Sequence, residues 1–118
     1  MILVDTSVWV DHLRKGSPQL ATLLTEGRVV CHTFVIGELA CGNLKNRAAI
    51  LSLLTALPAV TLAGHSEVMG LVVDRNLHGK GLGWIDVHLL TSCLLSGCAL
   101  WTADKALTTA ARSLHVMF

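Results

Sequence analysis

Apolar positions along the chain come in two rhythms. Short continuous aliphatic runs alternate with longer stretches in which apolar residues recur three and four positions apart. The short runs predict buried strands, and the longer stretches predict helices with one inward face. The first strand is Ile2–Asp5, which ends abruptly in a carboxylate. Further strands are expected at Val29–Cys31, Val60–Leu62 and Cys98–Trp101, with a short fifth at Leu114–Phe118. Helices are expected over Ser7–Lys15, Pro18–Glu26, Phe34–Leu44, Arg47–Leu57, Glu67–Leu77, Trp84–Leu95 and Asp104–Ser113. Thr6 or Ser7 can cap the first, Ser17 the second, Asn46 the fourth and Ser66 the fifth. Strands alternating with helices predict an α/β fold. Its central parallel sheet would have four or five strands and helices on both faces.

Composition sharpens this reading. The chain has 118 residues, enough for a single domain spanning 1–118 with its own core. Apolar residues make up 53% and charged residues only 14%. Such a chain buries helices on several sides or covers apolar surface against a partner. A homodimer is therefore expected, through the helices around Leu20–Leu24 and Ala48–Leu57. The uncharged stretches Ala48–Gly64 and Val87–Ala103 are broken by Pro58 and Gly97, so neither predicts a membrane span. No secretory leader is expected, because Asp5 and Asp11 interrupt the N-terminal run. Cys31, Cys41, Cys93 and Cys98 form no C-x-x-C pair and lie in apolar runs. They predict free buried thiols in a reducing cytoplasm. The formal charge of +1 excludes a strongly basic nucleic-acid binder.

The charge that carries information is acidic. Asp5, Glu38, Asp86 and Asp104, half of the eight acids, stand in apolar surroundings. Each has a local explanation: Asp5 and Asp104 as helix caps, Asp86 as a charge at a helix N-terminus, Glu38 on an exposed helix face. Taken together they share an edge. Asp5 and Asp104 follow strands and Asp86 opens a helix, which places all three at the carboxyl edge of a parallel sheet. Clustered carboxylates repel unless a cation joins them, and hard divalent ions take oxygen ligands. Glu38, flanked by Val35, Ile36, Leu39 and Ala40, is expected to be half-buried. With the four acids neutralised by metal, the remaining surface is net basic and can face phosphate. His88 is expected to pack on the side of its helix away from Asp86. Trp9, Trp84 and Trp101 are expected in the core. The loop from His78 to Gly83 lacks phosphate-loop spacing, so no nucleotide cofactor is expected; Arg75 and Lys80 are either phosphate contacts or solvated.

Four segments carry a family resemblance: Ile2-Leu-Val-Asp5-Thr6-Ser7 with Trp9, Glu38-Leu-Ala-Cys-Gly42, Gly83-Trp-Ile-Asp86, and Leu100-Trp-Thr102-Ala-Asp104. In this order they resemble the PIN-domain family, and specifically the VapC-type toxin ribonucleases of bacterial toxin–antitoxin pairs. The resemblance implies a PIN-like fold and a metal-dependent endoribonuclease acting on RNA. It implies Asp5 and Asp86 as Mg²⁺ (or Mn²⁺) ligands, Asp104 as a further ligand or water-holding acid, and Glu38 as the acid that positions or deprotonates the attacking water. It also implies supporting hydroxyls from Thr6, Ser7 and Thr102, a dimer, and silencing by a small antitoxin protein. The helix after Asp86 departs from many members in carrying His88 and a run of leucines, and the span from Glu38 to Asp86 is short. A receiver domain would need adjacent acids after the first strand and a lysine after the last. A haloacid-dehalogenase phosphatase would need an acid where Ser7 stands. The alternative from another class is a non-catalytic PIN-fold module that binds RNA or a partner.

Overall fold

A computed structural model describes residues 1–118. The chain runs β1 (Ile2–Val4), α1 (Thr6–Lys15), α2 (Pro18–Thr25), β2 (Val29–Val30), α3 (Thr33–Cys41), α4 (Arg47–Ala56), α5 (His65–Asp74), α6 (Trp84–Ser96), β3 (Ala99–Trp101) and α7 (Lys105–Ser113). The sheet has three strands in the order β2-β1-β3, all parallel. Leu3 pairs with Val30 on one side and Leu100 on the other. Leu3, Val4 and Leu100 are fully buried, and β1 is central. That agrees with its uninterrupted apolar character.

The two further expected strands shrink to single bridges. Ala59 bridges Cys31 and Met117 bridges Leu100, both in parallel sense. The first reaches no further because, after Val60 donates to the Cys31 carbonyl, Thr61 N–H turns to the Ser96 hydroxyl at 2.9 Å. The second starts late because His115 occupies the left-handed region at φ 59°.

Connections from β1 to β2 and on to Ala59 step one way across the sheet. The return to β3 and on to Met117 steps the other way. Right-handed crossovers then put α1–α4 on one face and α5–α7 on the opposite one. Contacts of α1 with α3, α3 with α4 and α5 with α6 fit that division. The order reverses between β1 and β3, and the carboxyl ends at such a reversal border the crevice where open α/β sheets bind ligands.

Helix starts follow ordinary capping chemistry, with three corrections. Asp5, not Thr6 or Ser7, caps α1 by accepting from Thr6 N–H at 2.8 Å. Asn46 sits at φ 52° and makes no side-chain cap bond. Gly64 precedes α5, with Glu67 accepting from its N–H at 2.8 Å, so the helix begins ahead of Ser66. Ser17 caps α2 as expected, ahead of Pro18 at the first helical position. The four cysteines are free; Cys31, Cys93 and Cys98 are buried, and Cys41 is exposed. No helix is long and apolar enough to cross a membrane.

Leu3, with no exposed surface at the middle of the central strand, is where a core deletion costs most. Leu3→Ala is expected to lower unfolding stability by about 3 kcal/mol, the middle of the range for a fully buried leucine. Urea titration at neutral pH measures it; a loss below about 1 kcal/mol would show that β1 is not the centre of the core.

Candidate active site

The site begins with a strand that stops. Asp5 N–H still donates to the Trp101 carbonyl at 2.9 Å, so its backbone closes the β1–β3 ladder. Its side chain, only 7% exposed, turns to the carboxyl edge. A buried carboxylate is tolerated only when hydrogen bonds replace its hydration. Here Oδ1 accepts from Thr6 N–H at 2.8 Å. Oδ2 accepts from the Ser7 hydroxyl at 2.8 Å and the Thr102 hydroxyl at 2.7 Å.

Those hydroxyls are themselves held. Ala103 N–H donates to Ser7 Oγ and Asp104 N–H donates to Thr102 Oγ1, each at 3.0 Å. The turn after β3 therefore grips the start of α1 through two hydroxyls, both aimed at one carboxylate oxygen. Thr6 faces the other way and donates to Glu38 Oε1 at 2.7 Å, which ties α3 to the same edge. All three hydroxyls expected to support the acids engage them: Ser7 and Thr102 on Asp5, Thr6 on Glu38.

Asp86, in the first turn of α6, accepts from Gly83 N–H at 2.9 Å through Oδ2. Asp104 caps α7, accepting from Leu107 N–H at 2.9 Å through Oδ2. Asp5, Asp86 and Asp104 thus do the local capping work that their positions offer, and still leave oxygens free. Asp86 Oδ1, Asp104 Oδ1 and Glu38 Oε2 accept no hydrogen bond from the chain. The ion pairs of the chain are Arg14–Asp11 and Arg28–Glu26, so none of the four acids has a cationic partner. Burial raises the Asp86 carboxyl above its ordinary range. The Gly83 N–H partly offsets this, and the negative charges of Asp5 and Asp104 push it further up.

Two expectations about exposure are corrected. Glu38 is exposed rather than half-buried, because α3 turns Val35 and Leu39 to the core and leaves Glu38 on the adjoining strip. Trp84 is exposed at the tip of α6, whereas Trp9 is buried and Trp101 partly so. His88 is buried as expected, with its ring 4.8 Å from both Phe34 and Trp84. Arg75 and Lys80 are exposed.

His32 was not singled out by its sequence context. It lies at the end of β2 and caps α3, its Nδ1 accepting from Phe34 N–H at 2.9 Å. That bond requires Nδ1 unprotonated, so the neutral ring carries its proton on Nε2, which is buried without a partner. A histidine directly after a strand and before an apolar helix was the available signal.

No three of the chain's histidine, cysteine, aspartate and glutamate side chains stand close enough to close a ligand shell on one ion. Mg²⁺ does not need such a cage, since it keeps several waters and takes one or two carboxylates. Unpaired acids with free oxygens, one of them pushed towards protonation by burial and by its neighbours' charge, fit a hydrated divalent ion.

The His32 environment gives a pH dependence. Burial, with a smaller contribution from His88, lowers its pKa from 6.5 to about 4. The folded chain therefore binds this proton less readily than the unfolded chain. The stabilisation is complete above pH 6.5 and is lost as pH falls towards 4, by up to about 3 kcal/mol. Urea midpoints between pH 7.5 and 4 measure it. His32→Asn keeps a cap acceptor and is expected to flatten the acid limb; an unchanged slope would assign it to other groups.

The PIN domain family model matches residues 2–113. Over 111 residues the chain is 48% identical to Ribonuclease VapC32 of Mycobacterium tuberculosis strain CDC 1551 / Oshkosh, covering 93% of this chain and 90% of that protein. The same figures hold for Ribonuclease VapC32 of strain ATCC 25618 / H37Rv. With the acids standing at the carboxyl edge of a parallel sheet and this likeness running almost end to end, the chain belongs to the PIN-domain family, and within it to the VapC type.

Proposed function

We propose that this chain is a divalent-metal-dependent endoribonuclease that hydrolyses RNA phosphodiester bonds, and that it is the toxin of a toxin–antitoxin pair. The observation that carries the chemistry is the Asp5 carboxylate. It is buried at a strand end, fixed by two hydroxyls and a backbone N–H, and joined at its edge by three acids without cationic partners. The likeness to proteins named ribonuclease supports the choice of substrate. One apolar cluster runs from Ile2 to Val116, which supports treating residues 1–118 as one PIN-like domain.

Asp5 and Asp86 would hold Mg²⁺ or Mn²⁺; of the two roles expected for Asp104, further ligand or acid that holds a water, the second fits the absence of a three-acid ligand group. When bound, the ion supplies Lewis acidity towards the phosphodiester and makes water a stronger acid. The residues do the rest. Ser7 and Thr102 lock Asp5 Oδ2, so the carboxylate keeps one orientation whether or not charge is bound beside it. The Thr6 hydroxyl occupies Glu38 Oε1 and leaves Oε2 to accept the proton of the attacking water. As that water's oxygen bonds to phosphorus, the bond to the leaving oxygen breaks, and the leaving oxygen takes a proton from solvent.

A small antitoxin protein as partner, a homodimer and a cytoplasmic location complete this reading. Exposed Leu53 on α4, and Met69 and Val73 on α5, are apolar surface that such contacts would cover. The helix around Leu20–Leu24 is a weaker candidate than first expected, since Leu20 and Leu23 are buried in the core. A non-catalytic binding module is less well supported, because it gains nothing from four unpaired acids at one edge.

Asp5→Asn, whose amide nitrogen replaces one acceptor oxygen, is expected to fold with reduced stability and to abolish RNA cleavage, and added EDTA is expected to abolish cleavage by the unsubstituted chain. Glu38→Gln is expected to lower turnover 10²- to 10⁴-fold while leaving metal affinity near its original value, the range for a general base. Cleavage of labelled RNA and calorimetric Mn²⁺ titration separate the two effects. A Glu38→Gln chain that cuts at the original rate would remove the base from the mechanism.

Stability gives a second readout. Because the Asp86 charge is disfavoured in the folded chain, metal-free stability is expected to fall as pH rises through its raised pKa. Asp86→Asn should then raise the metal-free melting midpoint at pH 7 and abolish the rise that Mn²⁺ gives. Scanning fluorimetry with and without Mn²⁺ checks both signs, and a lowered midpoint for metal-free Asp86→Asn would contradict the cost of burying that charge beside its neighbours.

A further inference from the structure

The chain has few aromatic side chains, and two of them are exposed on the helices that carry Glu38 and Asp86. Phe34 is 39% exposed and Trp84 is 43% exposed. Phe34 lies one helical turn before Glu38 on α3, so the two share a strip of that helix. Trp84 lies in the first turn of α6 with Asp86. Between them stands His88, one turn after Trp84. Its ring centroid is 4.8 Å from Phe34 at 65°, and 4.8 Å from Trp84 at 83°. His32 closes one end, 4.9 Å from Phe34, and His65 the other, 5.2 Å from Trp84. The result is a continuous row of five rings from α3 and its cap residue, α5 and α6, with His32 and His88 buried beneath the exposed Phe34 and Trp84.

Trp9 is buried, and Phe118, 39% exposed, packs on Trp101; Phe34 and Trp84 are the exposed aromatics of the helices that carry Glu38 and Asp86. Four acids attract metal and repel a polyanion, and stacking on uncharged rings holds a strand without adding to that repulsion. Unpaired bases stack on exposed aromatic side chains without regard to sequence.

We propose that Phe34 and Trp84, braced by His88, form a base-stacking subsite that takes one unstacked base of a single-stranded RNA next to the bond to be cut. This rests on the ribonuclease reading and adds to it a preference for unpaired RNA and the residues that impose it. Phe34 and Trp84 bind the substrate's base, and the acids act on its phosphate.

The test separates stacking from cutting. Short single-stranded RNAs, with 2-aminopurine walked along the strand, are titrated with the Asp5→Asn chain in Mg²⁺, which leaves them uncut. Cleavage by the unsubstituted chain is timed separately. Quenching of 2-aminopurine at one position is expected. Trp84→Leu and Phe34→Leu, each added to that chain, are expected to weaken binding roughly ten- to hundredfold, and Trp84→Phe to restore most of it. In otherwise unsubstituted chains the same leucine changes should raise KM and leave kcat within about twofold, and a hairpin stem should bind poorly throughout.

If the leucine variants bind and cut like the unsubstituted chain, the subsite is overturned while the ribonuclease reading stands. If no RNA is cut but quenching persists and is lost with Trp84→Leu, the subsite stands and the ribonuclease reading falls. If the substitutions change only the sedimentation of the chain or its hold on a protein partner, the row of rings is a protein contact and the proposal is overturned.

Discussion

Everything at the working edge of this molecule depends on a carboxylate that has been taken out of water. Asp5 ends the most deeply buried strand, and its charge survives there because three donors replace its hydration. Hydrogen bonds to a charged group contribute roughly 1.5–3 kcal/mol each, so three of them offset a desolvation cost of several kcal/mol. The donors come from α1 and from the turn after β3. Satisfying Asp5 therefore joins the start of the chain to a segment 97 positions away. The requirements of the fold and of the site are the same requirement at this residue. A second such junction, from Thr6 to Glu38, attaches α3 to the edge by one hydroxyl.

The remaining acids are held more loosely, and the difference is physical. Asp86 and Asp104 each spend one oxygen on a helix N-terminus, where a negative charge is favoured by the free N–H groups. Glu38 spends one on Thr6. Each then presents its second oxygen without a partner. The edge is thus negatively charged, preorganised and incomplete, which is the electrostatic condition for recruiting a cation.

The central strand and the acid at its end were legible in the sequence because both lie within five consecutive residues and obey one rule, burial followed by a charge. The parallel sheet and its crossovers were legible from alternation, and the order of the four acid motifs pointed to the family. The outer strands were overestimated. Alternation around Val60–Leu62 promises a strand, but the Ser96 hydroxyl diverts Thr61, and nothing local to either segment foretells that meeting. Glu38 and Trp84 were misplaced for a related reason. Apolar neighbours suggest burial, yet burial on a helix is decided by angle, and at the tip of α6 by the absence of anything beyond the sheet edge to cover it. The three hydroxyls were expected in support of the acids by resemblance alone; Ser7 reaches Asp5 within its own turn, while the pairings of Thr102 with Asp5 and of Thr6 with Glu38 are tertiary facts.

The narrowness of the sheet has a consequence for how molecules of this chain meet one another. A parallel sheet ends in strands whose outer backbone groups are ready to pair with any extended chain, and this sequence is more than half apolar. Here the outermost segments, at Ala59 and Met117, are each in register for a single bridge. One begins directly after Pro58, which has no N–H to offer, and the other follows a left-handed residue at His115. Neither side presents a straight template long enough for edge-to-edge growth. The same interruptions that trim the sheet to three strands guard an apolar protein against stacking into fibres, and leave association to its helices.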